Sequence, residues 1–186
     1  MKQVALILSL IITLFLMGCA STGETPSDKR ETILTMEEDV LTELYEVKPS
    51  TKSFIKDASG YAVFSNLNAN IIFASFGGGY GVVTNNKTRE KTYMRMGEVG
   101  IGLGLGVKDF RVVFVFHTDA ALNRFVEKGW AVGAQADAAA KAGSKGAAIG
   151  GETIVDNITI FQLTESGLAL QATIKGTKYW KDETLN

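Results

Sequence analysis

The chain has 186 residues with 19 basic and 20 acidic side chains, one histidine and one cysteine, for a formal net charge of −1. Charge this evenly balanced lacks the clustered Lys and Arg that grip a nucleic-acid backbone, so a nucleic-acid partner is not expected. One cysteine closes no disulfide within the chain, and a lone histidine without a second imidazole or a spare thiol builds no familiar zinc site.

In chain order, Lys2 precedes an apolar run over 4–17, broken only by Ser9 and Thr13, that ends in Leu16-Met17-Gly18-Cys19. The run is shorter than the roughly 20 residues a spanning helix needs, and its end is similar to the site read by lipoprotein signal peptidase. Residues 1–18 therefore read as a removed lipoprotein signal peptide, Cys19 as the lipidated residue, and 19–27 as the lipidated N-terminus and linker. Ala20, in place of a retention aspartate, points to an outer-membrane lipid anchor facing the periplasm. Residues 28–186 have the length of a single domain.

From Asp28 the apolar period is helical, with Ile33, Val40, Leu44 and Val47 on one stripe and Leu34, Leu41 and Tyr45 beside it, and this helix should end near Pro49. Its other face carries Glu37, Glu38, Asp39, Glu43 and Glu46, which anionic lipid would repel. A second helix is expected over 50–58, with Phe54 and Ile55 inward and Gly60 as a stop. The period then becomes two, giving strands over 61–64, 71–76, 80–84 and 91–96, with Asn85-Asn86 as a turn. Strands over 99–107 and 110–117 flank Lys108-Asp109 as a hairpin. Thr118 or Asp119 caps a helix through Lys128, with Leu122, Phe125 and Val126 inward and Gly129 as its stop. Strand pattern over 130–138, a Gly-rich loop over 141–151, and strands over 154–163 and 168–175 around Glu165-Ser166-Gly167 complete the chain. Short turns between strands imply an α+β fold: an antiparallel, barrel-like curled sheet packed with two or three helices.

Gly97, Gly100, Gly102, Gly104 and Gly106 leave one face of a strand bare, a strip for close packing. A dinucleotide fingerprint would need a third glycine where Leu105 stands and a helix where a strand follows. Gly77-Gly78-Gly79 lacks the lysine and hydroxyl of a P-loop and reads as a bulge or bend. No G-x-S-x-G elbow accompanies His117, which reads as a hydrogen bonder at a strand end, so no enzyme and no cofactor are expected.

Read together, Asp57-Ala58-Ser59-Gly60-Tyr61-Ala62-Val63-Phe64, Phe76-Gly77-Gly78-Gly79-Tyr80-Gly81-Val82-Val83, the glycine strand, Val113-Phe114-Val115-Phe116, Ala121-Leu122 and Gly129-Trp130-Ala131-Val132-Gly133 resemble the SYLF, or Ysc84-like, domain family. Gly167-Leu168-Ala169-Leu170 and Ile174-Lys175-Gly176-Thr177-Lys178 are similar to its closing strands, so the resemblance spans about residues 40–180. It implies a membrane-lipid-binding module; eukaryotic relatives bind phosphoinositides, some bind actin, and bacterial members are mostly exported proteins or lipoproteins. The expectation is a non-catalytic, membrane-anchored envelope lipoprotein that binds phospholipid, with a protein-interaction or scaffolding module supporting envelope integrity as the alternative. Candidate head-group contacts are Lys87, Arg89 and Lys91 on the Asn-rich hairpin and Lys175 and Lys178 near the C-terminus, with Lys181 beside them; ordinary solvated lysines that blunt strand pairing are the competing reading.

Overall fold

The computed structural model describes residues 25–71, 74–100, 106–132, 148–149, 152–164, 167–168 and 176–186. The first helix, α1 (Pro26–Val47), starts inside the stretch expected to be linker. Thr25 is extended and its Oγ1 accepts from the Asp28 amide at 3.2 Å, while Asp28 Oδ2 accepts from the Thr25 amide at 3.1 Å. This reciprocal capping box, with Pro26 preset for the first turn, sets the boundary. Ile33, Val40 and Leu44 are buried as the stripe requires, but Val47 at the last turn is exposed. In α2 (Thr51–Asp57) Ile55 is buried, whereas Phe54, expected inward, is 39% exposed.

The strands are β1 (Gly60–Ile71), β2 (Ala74–Asn85), β3 (Lys91–Gly100), β4 (Gly106–Phe116), β5 (Trp130–Val132), β6 (Ala148–Ile149), β7 (Glu152–Val155), β8 (Ile158–Thr164), β9 (Gly167–Leu168) and β10 (Gly176–Lys181). They form one antiparallel sheet in the order β5-β10-β3-β2-β1-β4-β8-β7-β6, with β9 paired to β8. Helix α3 (Asp119–Lys128) begins on Thr118, whose Oγ1 accepts from the Ala121 amide, and stops at Gly129, whose φ of 65° suits glycine.

Five strand steps separate β5 from β4, which in a flat sheet is about 24 Å. Yet the rings of Phe114 on β4 and Trp130 on β5 lie 5.2 Å apart, and Phe64 on β1 meets Tyr179 on β10 at 4.7 Å. The sheet must therefore curl, as the sequence pattern implied. Phe125 of α3 fills the concavity, 5.3 Å from Phe114, 5.0 Å from Phe116 and 5.9 Å from Trp130. Alternation assigns the two faces: Ala62, Phe64, Val112, Phe114 and Phe116 point to this aromatic interior, and Val63, Val113, Val115, Phe161 and Leu163 point outward under Val40 and Leu44 of α1. Burying both faces explains why β1 and β4 read as apolar runs.

Several expected boundaries move. The strand expected over 71–76 instead straddles the β1–β2 connection, since Ile71 pairs with Ala74. Lys108-Asp109 is no hairpin turn; it lies within β4, opposite Asn68 and Leu67 of β1. The glycine-rich strand divides between the end of β3 and the start of β4, and residues 101–105 lie outside the described residues. Gly77-Gly78-Gly79 forms no bulge, because the β1–β2 register runs unbroken through it. The strand expected over 154–163 is two, joined by Asp156-Asn157 with φ of 59° and 64°, the left-handed pair of a two-residue hairpin turn. Most of 130–138, 141–151 and 168–175 lies outside the described residues.

Candidate functional site

Helix α1 crosses the outer face of the sheet from β3 to β8. Arg30 stacks over Tyr93 of β3 at 5.9 Å, Glu43 pairs with Arg111 of β4, and Lys48 lies over Phe161 of β8 at 5.4 Å. Under its middle, Glu37 is 3% exposed, accepting from Thr84 Oγ1 at 2.9 Å and from Lys91 Nζ at 2.5 Å. A carboxylate this deep needs such partners. Burial, reinforced by the Glu37 charge, pushes the Tyr61 phenol up to about 12 and also raises Tyr45. Glu37 thus leaves the acidic helix face on which the sequence places it and becomes part of the helix–sheet seam.

The expected head-group set divides. Lys87 is 2.5 Å from Asp119, whose carboxyl is held below its ordinary range by hydrogen bonds from Lys87 and then Ser59. Lys91 is committed to Glu37, and Arg89 is exposed at the hairpin tip with φ of 63°. Two of the three hairpin cations therefore already face carboxylates. Lys175 and Cys19 lie outside the described residues. Lys178 is exposed on β10 opposite Gly97, six residues along β3 from Lys91, or about 20 Å at strand rise. Lys178 therefore stands apart from the hairpin cations, while Lys181, opposite Met94, is three residues along β3 from Lys91.

Two further cations, Arg124 and Lys128, lie on α3. Ala121, Arg124, Phe125 and Lys128 occupy one stripe of α3, at helical spacings of three and four. With Gly129, Trp130, Ile158 and Lys178 they line a groove of about 220 Å³. Arg124 is oriented by Asp156 Oδ2 at 3.1 Å, and among the described residues no carboxylate lines the groove itself. The signal was present in the sequence, since Phe125 had been placed inward and its neighbours on the stripe are Arg124 and Lys128. Adjacent to the groove, Trp180 is 39% exposed, its indole packed where a Cβ on Gly97 would come within 3.1 Å. Trp180 and Lys181 line a second, more open depression that also touches Lys128 and Gly129.

The C-terminal residues tie this flank to the start of α1. Asp182 Oδ2 accepts from Arg95 Nε at 2.6 Å and its Oδ1 from the Thr184 hydroxyl at 2.6 Å. Burial pushes the Asp182 carboxyl up, but the hydrogen bonds of Thr184 and Arg95 outweigh it and leave the carboxyl below its ordinary range. Leu185 is buried beside Ile33 and Val82, and its carbonyl accepts from Arg30 Nε at 2.8 Å. On the far side, His117 Nε2 is 2.8 Å from Thr159 Oγ1, with the edge of Phe54 against its ring. That is the hydrogen-bonding role expected of a strand-end histidine. Among the described residues no three His, Cys, Asp or Glu side chains are grouped to hold a metal, and no helix is long and apolar enough to cross a membrane.

Fold and site together define an α+β module whose curled antiparallel sheet is plugged by one helix and crossed by another, with cations and an exposed tryptophan on one flank. Residues 97–186 match the family model described as Ysc84, Las17-binding protein actin regulator. A curated relative, "Beta cell expansion factor A" of Aeromonas veronii, is 34% identical over 162 residues, covering 87% of this chain and 60% of that protein. The chain therefore spans about 60% of the length of the curated relative it matches. Through residues 97–186 it belongs to the Ysc84, or SYLF, family.

Proposed function

We propose that this chain is a non-catalytic envelope lipoprotein, acylated at Cys19, whose SYLF domain rests its β10 flank on the phospholipid surface of the outer membrane. The observation that carries this reading is the Arg30–Leu185 hydrogen bond, which fixes the start of α1 beside the segment following β10. From Cys19 to Thr25 is six residues, a reach of at most about 20 Å, so an acyl anchor would hold Trp180, Lys178 and Lys181 near the same bilayer. Exposed tryptophan flanked by lysine suits the headgroup layer, where an amphipathic ring and cations both find partners. Because acylation supplies recruitment, weak contacts are enough to set orientation.

Two measurements test the reading. Palmitate labelling in cells should appear in the native chain and vanish in Cys19→Ser. With the acylated protein reconstituted in vesicles containing brominated phosphatidylglycerol, part of the tryptophan emission should be quenched, and Trp180→Phe should remove that part. Emission unaffected by the brominated lipid would mean that the domain stands away from the bilayer.

A protein-docking role is the second reading, favoured by Val47 and Phe54, which are 45% and 39% exposed at the α1–α2 corner. The description of the matched family as Las17-binding points the same way. It predicts an envelope protein cross-linked at that corner in cells and lost in Phe54→Ser, with indifference to lipid composition.

A further inference from the structure

We infer that the outer face of the sheet carries, beside α1, a docking lane for one basic amphipathic helix of a partner protein. The lane is separate from the α1–α2 corner and needs neither acylation nor a bilayer. Trp180 stands at its far end, so a docked helix and a bilayer would compete for that ring.

Strand alternation fixes what faces the lane. Val83, Met96 and Tyr179 belong to the aromatic interior, so Tyr80 and Gly78 of β2, Arg95 and Gly97 of β3, and Trp180 and Lys178 of β10 stand on the outer face. Pairing sets them in rows across the three strands. Tyr80, Arg95 and Trp180 make one row, and Gly78, Gly97 and Lys178 make the next. Helix α1 covers the row before these, where Ile33 packs with Val82 and Arg30 lies over Tyr93. At the glycine row a Cβ on Gly78 would meet nothing within 4 Å, and over Gly97 stands the edge of the Trp180 indole, itself 39% exposed.

Spacing says what fits there. Packed helices lie about 8–10 Å apart, and a strand rises about 3.3 Å per residue. A helix beside α1 would therefore have its axis about three residues beyond Val82, between Tyr80 and Gly78. The missing side chain at Gly78 lets its backbone come close. Along the lane, Tyr80 and Trp180 are two strand steps or about 10 Å apart, which two helical turns match at about 11 Å. Apolar residues at i and i+7 of the docked helix would rest on the two rings, with its i+3 and i+4 positions over β3 between them.

Charge selects a basic helix. The flank of α1 and Tyr80 enclose a groove of about 500 Å³, lined by Asp28, Glu31 and Asp39 with Met36 among them, and among the described residues no cation lines it. Met36 and Tyr80 are partly buried together and supply apolar contact at the base of this wall. The two arginines on the same row of the sheet are already matched, Arg95 by Asp182 and Arg111 by Glu43. Lys178 lies at the far end, on β10. The wall formed by α1 is thus acidic, and a helix that turns Lys or Arg toward α1 and its apolar stripe toward the sheet complements both surfaces.

The test uses residues 19–186 with Cys19→Ser; every described element and hydrogen bond lies at or beyond Thr25, so this chain holds the whole described fold. The probe is a labelled leucine–lysine peptide of about five helical turns, with its leucines at i, i+3, i+4 and i+7, followed by fluorescence anisotropy. A scrambled peptide of the same composition and a leucine–glutamate version serve as comparisons. Saturable binding of the lysine peptide is expected, with a blue shift in the part of the tryptophan emission that Trp180→Phe removes, and both comparison peptides should bind at least tenfold more weakly. Gly78→Leu fills the lane where the fold itself is untouched and should weaken binding at least tenfold at an unchanged or higher unfolding midpoint. Glu31→Lys with Asp39→Lys, both at exposed positions, should weaken the lysine peptide at least tenfold and reverse the preference in favour of the glutamate peptide. This charge reversal decides the matter independently of Gly78. The inference is overturned by the absence of saturable binding, by equal binding of either comparison peptide, or by binding that Gly78→Leu or the charge reversal leaves intact. Self-association of the chain that Gly78→Leu abolishes would give the lane to a second copy and overturn it as well.

Discussion

Two glycines three residues apart on β2 should respond to the same substitution with opposite signs. Gly81 pairs with Phe64, and a Cβ on Gly81 would lie 2.6 Å from Phe64 Cγ and closer still to Phe64 Cδ1 and the Val63 carbonyl oxygen. The ring cannot simply step aside, because it is wedged against Tyr179 at 4.7 Å, Phe114 at 5.9 Å and Phe125 at 6.2 Å. Gly81→Ala should therefore cost at least the overpacking penalty of about 1–3 kcal/mol, with backbone displacement pushing it to the upper end. Gly78, by contrast, has nothing within 4 Å of where its Cβ would stand. Gly78→Ala should be neutral or stabilise by about 0.5–1 kcal/mol, because it removes freedom from the unfolded chain without meeting anything in the folded one. For a domain of this size, about 3 kcal/mol lowers Tm by roughly 6–12 °C. Urea unfolding of the two variants, followed by circular dichroism, reads both effects as changes in midpoint at constant slope. Phe64→Leu in the Gly81→Ala background should restore part of the loss, with a coupling of about 1 kcal/mol or more between contacting sites. Equal destabilisation by the two alanines, or strict additivity of Phe64→Leu with Gly81→Ala, would refute the claim that the ring occupies the space Gly81 leaves.

Three further outcomes follow from the helix–sheet seam and from Phe125 in the aromatic interior. Lys91→Met leaves Glu37 buried with only the hydroxyls of Thr84 and Tyr61 as partners and should cost about 2–4 kcal/mol in urea unfolding, discounted from a fully buried pair because Lys91 is partly exposed; Glu37→Gln with Lys91→Met should recover much of it. Phe125→Ala opens the centre of the aromatic interior and should cost about 3–5 kcal/mol, read as a lower unfolding midpoint with the Trp130 emission shifted to the red. Burial pushes the Tyr61 phenol up to about 12 from the ordinary 10.0, so its contribution to stability is present below pH 10 and lost as pH rises toward 12; ultraviolet titration at alkaline pH should show late phenols, since Tyr45 and Tyr93 are raised too, and Tyr61→Phe should remove one of them.

Legibility in the sequence followed the strength of local signals. The end of helix α3 could be read to the residue from Gly129, and its start to within one residue, with Thr118 and Asp119 both offering a cap and Thr118 taking it. The start of α1 was hidden by composition, since Thr25-Pro26-Ser27 reads as linker until the Asp28 half of the capping box is recognised. Polar dipeptides misled in both directions. Lys108-Asp109 resembles a turn, yet the ladder with β1 carries β4 through it, whereas Asp156-Asn157 is a true turn inside what reads as one apolar run. Of the groove, the α3 residues were legible from helical spacing, but the place of β10 at its edge depends on β10 folding back beside β5, a pairing across more than forty residues that no local pattern encodes.

The direction of α1 also decides how the domain bears load. A pull on the residues before Thr25 is directed into a helix lying across the strands, so it meets the Arg30–Leu185 hydrogen bond and the Glu37–Lys91 pair in succession, one contact at a time. Tension applied there would thus peel the helix from its seam and expose Val63, Val82 and Val113 while the aromatic interior on the opposite face stays closed around Phe125, making the outer face a mechanical fuse for the sheet beneath it.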